Sequence, residues 1–262
     1  MSERVTIGVI GGSGIARLGG GTPVATHTES TPWGAPSAPI EEHTLGELRV
    51  LFLPRHGEGH TIPPHRVNYR ANIAALARLG AERILAINSV GSLKQELPPG
   101  TFVLPNQFVD FTKGRPTTFY DGGRVYHVSL ADPFCPELCR EITSAGAGAD
   151  TPFEPNRTYV CVEGPRFSTR AESRFYQGFA DIIGMTLVPE VTLARERALC
   201  YACLAMVTDY DVWADHPVQA ADVVRVMGEN SNRMQRVLEE LFPRLSGPRR
   251  CACARSLENA SV

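Results

Sequence analysis

The chain has 262 residues, with 26 Lys and Arg set against 28 Asp and Glu for a formal net charge of −2. That balance leaves no basic excess for a nucleic-acid partner. Hydrophobic residues make up 43% of the chain, yet no apolar run approaches the roughly 20 residues of a membrane span, so no membrane partner is expected.

The length suits one large α/β domain. The start, MSER followed at once by VTIGVIGG, lacks an apolar leader and sets the expectation of a cytoplasmic protein. Residues 5–12 are an apolar run ended by glycines, which predicts a strand. The loop after it, Gly11-Gly12-Ser13-Gly14, can turn backbone N–H groups toward an anion. Arg17 stands where a dinucleotide fingerprint needs its third glycine, so a phosphate-sized anion is the expectation and a plain tight turn the alternative.

A second strand is predicted over 47–54. Arg55 and His56 follow it, at the rim where α/β sheets present ligand groups, and together they suit charge-assisted hydrogen bonds to phosphate. His56, His60 and His65 are rejected as metal ligands, because the glycines and prolines among them prevent a helix that would align them. Residues 67–80 place Val67, Ala71, Ala74 and Arg78 on one helical stripe stopped by Gly80, and 83–91 form the next strand, completing a βαβ pattern. That strand leaves through Asn88, Ser89 and Gly91, which are either turn residues or donors at a site.

Further strands are predicted over 101–111, 124–130, 158–164, 181–185 and 200–207, and helices over 136–144, 169–178, 188–198 and 221–242. Strands and helices mixed in this way imply a central sheet flanked by helices. Ser168 either belongs to a pocket or caps the helix after it, and Met185-Thr186 reads as core plus cap or as ligand groups. Asp209 and Asp211 follow the last strand; on an extended chain, residues two apart share a face, so both carboxylates are expected on one side.

Seven cysteines lie in the second half of the chain. Cys161, in YVCVEG, suits the core. Cys251-Ala252-Cys253 stands in a polar, Arg-flanked tail, where disulfides or a zinc thiolate cluster with Cys200-x-x-Cys203 are the alternatives. Disulfides are preferred, because no spacing here matches a standard zinc pattern. The tail, 246–262, is set apart from a body of 1–245.

Taken together, IGVIGGSG, LPRHGEGHTIPPHRVNYRANI, INSVGSL, FYDG, DPFCPEL, EGPRFSTRAES, GMTLVPE and TDYDVW resemble, in order, the nucleoside phosphorylase superfamily. The likeness spans nearly the whole chain and points to the trimeric-type branch that contains 5′-methylthioadenosine phosphorylases. It implies a three-layer α/β sandwich whose mixed central sheet is partly closed into a barrel, and phosphorolysis of a purine nucleoside with inorganic phosphate as co-substrate and neither cofactor nor metal. It places Ser13, Arg55, His56, Ser89 and Thr186 against phosphate, Asn88 in the adjoining sugar–phosphate loop and Met185 against ribose. Ser168, Asp209 and Asp211 match the base pocket, and His127 matches a residue lent to the 5′ side of a neighbouring subunit's substrate. The CxC tail is similar to that of thermophilic archaeal members, whose paired cysteines brace the fold; the likeness also implies a homotrimer or a hexamer of two trimers.

Cleaving C1′–N9 leaves positive charge on the ribose and negative charge on the purine, so phosphate below C1′ and a proton donor at N7 are required. Asp209 is the expected catalytic acid, and Asp211 the acceptor for a 6-amino group. The favoured substrate is methylthioadenosine. A phosphorylase of inosine, guanosine, adenosine or methylthioinosine, and a non-catalytic nucleoside-binding protein, remain alternatives. Ala221, Asp222 and Val223 are the candidates for contact with the 5′ substituent.

Overall fold

The computed structural model of the chain describes residues 4–12, 15, 22–214 and 220–261, without the side chains of 220, 221, 222 and 224. Nine strands among them form one sheet. At its open end, β2 (Ala25–His27), β3 (Ile40–Leu45) and β4 (Leu48–Pro54) are antiparallel neighbours, followed by β1 (Thr6–Gly11) parallel to β4.

β1 is also parallel to β5 (Arg83–Ser92), where the sheet curls. From β5 the order runs through β8 (Ile182–Gly184), β7 (Phe153–Val162) and β6 (Phe102–Phe111) to β9 (Cys200–Asp209), and β9 pairs back onto β5. These five strands, of mixed direction, close a barrel, as expected for the sheet.

Helices cover both faces. The β9 alternation shows how: Tyr201, Cys203, Ala205 and Val207 join the core beneath α1 (Tyr69–Arg78) and α4 (Leu187–Glu196). Cys200, Ala202, Leu204 and Met206 join the opposite core, beneath α2 (Pro136–Gly148) and α5 (Ala220–Leu241). A third cluster sets Tyr176 of α3 (Arg170–Gln177) on Val160 and Ile183. No helix among the described residues is long and apolar enough to cross a membrane.

Three expectations need correction. The run 124–130 is not a strand: it makes a single bridge, Tyr126 to Ser261, and Val125 is exposed. None of its seven residues is buried, so the alternation has no core face to serve. Conversely, β3 was not expected, because IEEHTL is mostly polar and buries only two of its six residues; Glu42 there accepts from Arg49 at 2.7 Å. Finally, α2 extends four residues beyond the predicted end at 144. Gly146, which reads as a breaker, lies inside it because a Cβ would sit 2.7 Å from both the Thr151 carbonyl oxygen and the Phe153 ring.

Candidate active site

Because β1 is parallel to β4 and β5, and β5 to β9, the C-terminal ends of all four strands reach one edge of the sheet. Gly12 leaves β1 there, Arg55 and His56 leave β4, Asn88 and Ser89 lie near the end of β5, and Asp209 ends β9. Met185 and Thr186 join β8 to α4. A cavity of ≈ 400 Å³ opens among these groups.

Arg55, His56, Asn88, Ser89, Ser168, Met185, Thr186, Asp209 and Asp211 all line the cavity. Ser13 lies outside the described residues. Its neighbour Gly12 lines the cavity too, in a place where a Cβ would meet the Ile87 carbonyl oxygen at 2.4 Å and Arg55 Nη1 at 2.9 Å. His127 is exposed and is not among the lining residues; its backbone N–H donates to Ala260 O at 2.7 Å.

Arg55 is fully buried and paired with Glu190, equally buried, through Nε at 2.8 Å and Nη2 at 2.9 Å. Nη1 donates to Ile87 O at 3.0 Å and Nη2 to Asn88 Oδ1 at 3.2 Å. Four of the five guanidinium hydrogens are thereby engaged, and one on Nη1 is without an acceptor among the described residues. Tyr201 donates to Glu190 Oε1 at 2.9 Å, closing the network.

Asn88 Nδ2 donates to Thr186 Oγ1 at 2.9 Å, so the Asn88 amide relays position from Arg55 to Thr186. Thr186 precedes α4 but makes no capping bond; its Oγ1 accepts from Asn88, and its hydroxyl hydrogen has no acceptor among the described residues. The cap reading fails for Ser168 as well: Thr169 caps α3 in a reciprocal box with Glu172, accepting at 3.1 Å and donating at 2.7 Å.

His56 lies against Ile62 O, 2.8 Å from Nδ1. A carbonyl only accepts, so the neutral ring keeps its hydrogen on Nδ1 and offers Nε2 as an acceptor. Burial, reinforced by the Arg55 charge, lowers His56 to about 4 from 6.5. With the folded value below the unfolded one, the stability this group contributes is present above pH 6.5 and lost as pH falls toward 4. Nitrogen-detected NMR of ring-labelled protein is expected to show one Nδ1–H imidazole titrating near pH 4, absent from His56→Gln; a ring titrating normally would contradict this burial. The only cluster of three or more metal-ligating side chains among the described residues is made of cysteines, not of His56, His60 and His65.

The two acids are not parallel on a strand. β9 ends at Asp209, and Asp211, at φ 50°, opens a 3-10 turn over Asp211–Trp213. Hydrogen bonding brings them together: Asp211 N–H donates to Asp209 Oδ1 at 2.8 Å, a local turn closed by an aspartate. Burial raises the pKa of both carboxyls. Thr208 Oγ1 stands 2.8 Å from Asp209 Oδ2 and 3.2 Å from Val90 O, two acceptors for its one hydrogen. Asp211 Oδ2 is buried without a hydrogen-bond partner among the described residues.

Sequence reasoning missed Glu190 and the lining role of Met227. Glu190 was visible as a lone acid in an apolar run, LVPEV. Val223, one of the three candidates for the 5′ contact, lines the cavity, and so does Met227, one turn further along α5. The side chains of Ala221 and Asp222 lie outside the description.

All seven cysteines are free thiols in this structure, without the expected disulfide. Cys200 and Cys203 cannot share a metal: three residues apart on a strand, they occupy opposite cores.

The sequence pattern of the phosphorylase superfamily matches residues 6–243. The S-methyl-5′-thioadenosine phosphorylase of Pyrococcus furiosus is 53% identical over 98% of this chain and 99% of its own. A methylthioadenosine phosphorylase from an antarctic soil metagenomic library is similar in structure at a TM-score of 0.93 and 41% identity, covering 99% of this chain and 93% of that one. A variant of the Schistosoma mansoni adenosine/methylthioadenosine phosphorylase, in complex with methylthioadenosine, matches at a TM-score of 0.91 and 36% identity over 98% and 96% of the two chains.

Proposed function

The chain belongs to the phosphorylase superfamily, and from that premise we propose that it is a pentosyltransferase converting 5′-methylthioadenosine and phosphate reversibly to adenine and 5-methylthioribose 1-phosphate. The observation that carries this reading is one cavity holding three kinds of wall. Anion donors lie on Arg55, Ser89 and Thr186, a half-buried carboxyl on Asp209 and a buried one on Asp211, and an apolar pair on Val223 and Met227. An apolar wall suits a 5′-methylthio group, whereas a 5′-hydroxyl needs a hydrogen-bond partner.

In this mechanism the free Arg55 hydrogen, the Ser89 and Thr186 hydroxyls and the Ser13 loop hold phosphate beneath C1′. Asn88 keeps Arg55 and Thr186 in place. His56, neutral with a bare Nε2, accepts the hydrogen of a monobasic phosphate and raises its nucleophilicity. As C1′–N9 breaks, phosphate stabilises the cationic sugar and then bonds to C1′, while Asp209, with its raised pKa, shares its proton with N7 of the leaving adenine. Asp211 Oδ2, buried without a well-formed hydrogen bond among the described residues although the Ser173 hydroxyl acts on the same carboxyl, accepts a hydrogen bond from the 6-amino group. Ser168 supports the base, and Met185 lies against the ribose.

No cofactor takes part, and phosphate is consumed as co-substrate. The working form is a cytoplasmic homotrimer or hexamer in which His127, exposed and outside its own chain's cavity, reaches a neighbour's 5′ site. Residues 1–245 form the catalytic unit and 246–262 its tail.

The test is free-base release from methylthioadenosine, adenosine, inosine and methylthioinosine, with and without phosphate. Methylthioadenosine is expected to have the highest kcat/KM, and only with phosphate present. Equal release without phosphate would indicate a hydrolase, and a preference for inosine would overturn the adenine assignment.

A further inference from the structure

At the end of the molecule formed by the α2 start, the β9 start and the tail, four sulfurs converge. Cys135 lies at the N-cap of α2, Cys200 begins β9, and Cys251 and Cys253 belong to the tail. Their Sγ atoms all lie within 4.8 Å of one another, and Cys200 and Cys251 approach to 3.3 Å. A zinc ion bound at about 2.3 Å to four thiolates sets its sulfurs about 3.8 Å apart on every edge of a tetrahedron. The observed separations bracket that spacing.

We propose that Cys135, Cys200, Cys251 and Cys253 form a tetrathiolate site for zinc, distinct from the nucleoside cavity, that fastens the tail to the body. The ligand set is all sulfur, which selects a thiophilic ion of tetrahedral preference over calcium or magnesium. Three of the four cysteines are buried, while Cys251 is half-exposed and gives the ion a way in. Outer-sphere support is present as well. The Leu138 N–H points at Cys135 Sγ from 3.5 Å, and Cys135 heads a helix of 13 residues whose N-terminal end favours a thiolate. On binding, the four thiols give up four protons and form four zinc–sulfur bonds, with no change in oxidation state.

The site would also act at a distance. Beyond it the tail returns to the body, where Ala260 O accepts from His127 N at 2.7 Å and Ser261 bridges Tyr126. Zinc at one end of the tail therefore steadies the segment carrying His127 at the other.

The test needs no activity measurement. Full-length protein grown with zinc, lysed anaerobically and purified without chelator is expected to hold about one zinc per chain, released as a mercurial titrates four thiols. Cobalt put in its place should show the visible spectrum of a tetrahedral tetrathiolate. Cys251→Ser with Cys253→Ser is expected to lower zinc content about tenfold or more, and Cys139→Ser to leave it unchanged. If the double variant fails to fold, the wild-type cobalt spectrum decides. A zinc-free wild type with all seven thiols free would overturn the site. So would mass mapping of rapidly alkylated protein that finds the four cysteines joined in disulfides.

Discussion

Asp209→Asn is expected to lower kcat for methylthioadenosine about a hundredfold or more, the usual range for a lost proton-transfer group, with a much smaller change in KM. The substitution keeps the local fold. The carboxamide oxygen it introduces can still accept from Asp211 N–H, and the carboxamide nitrogen can donate to Thr208 Oγ1 once that hydroxyl turns its hydrogen to Val90 O. What the new side chain cannot do is give a proton to N7. Burial keeps the native carboxyl protonated to higher pH than an ordinary aspartate, so the alkaline fall of the native kcat should disappear from the variant's residual rate. Steady-state kinetics across pH, with a thermal melt to confirm folding, make the comparison. A near-native kcat would remove Asp209 from the chemistry.

The second large effect is expected at Glu190. Glu190→Gln leaves the fully buried Arg55 charge without its counter-ion, and breaking such a pair costs about 3–5 kcal/mol. Urea unfolding in phosphate-free buffer should show that loss. Added phosphate should recover part of it, because an anion that binds only the folded state stabilises by mass action. Removing both partners, with Arg55→Met and Glu190→Leu, should restore most of the stability while abolishing phosphorolysis, since the penalty lies in the orphaned charge and not in the absence of the pair. A double variant as unstable as the single would mean that Glu190 acts through packing. One still active with phosphate would remove Arg55 from the anion site.

Much of the arrangement was legible because it depends on short-range rules. Apolar runs marked β1, β4, β5 and β9, the first three of them stopped by glycine or proline, and the polar groups that line the cavity stand at their ends. The rule of two would also have separated Cys200 from Cys203. What escaped was set by partners far along the chain. The run 124–130 has the alternation of a strand but no buried face, while β3, mostly polar, is a strand because β4 supplies an edge. Glu190 becomes meaningful only opposite Arg55, 135 residues away. Asp209 and Asp211 were expected together for the wrong reason: a left-handed residue and a hydrogen bond meet where straight extension was assumed. Met227 repeats with Met234, Leu238 and Leu241 at the spacing of a core-facing stripe, and only the placement of α5 turns it to the cavity.

Closure of the barrel by β9 also bears on the order of events during folding. Its register against β5 sets Asn88 beside Ala205 and Ser89 beside Met206, segments separated by much of the chain's length. Long-range pairings of this kind bring the largest loop-closure entropy and belong to the slow part of assembly. The Asn88 and Ser89 side chains on β5 and the carboxyl ending β9 face a common cavity only after that seam is made. A chain with the seam open holds the residues of the site but no site, so nascent or partly folded protein is expected to be catalytically silent.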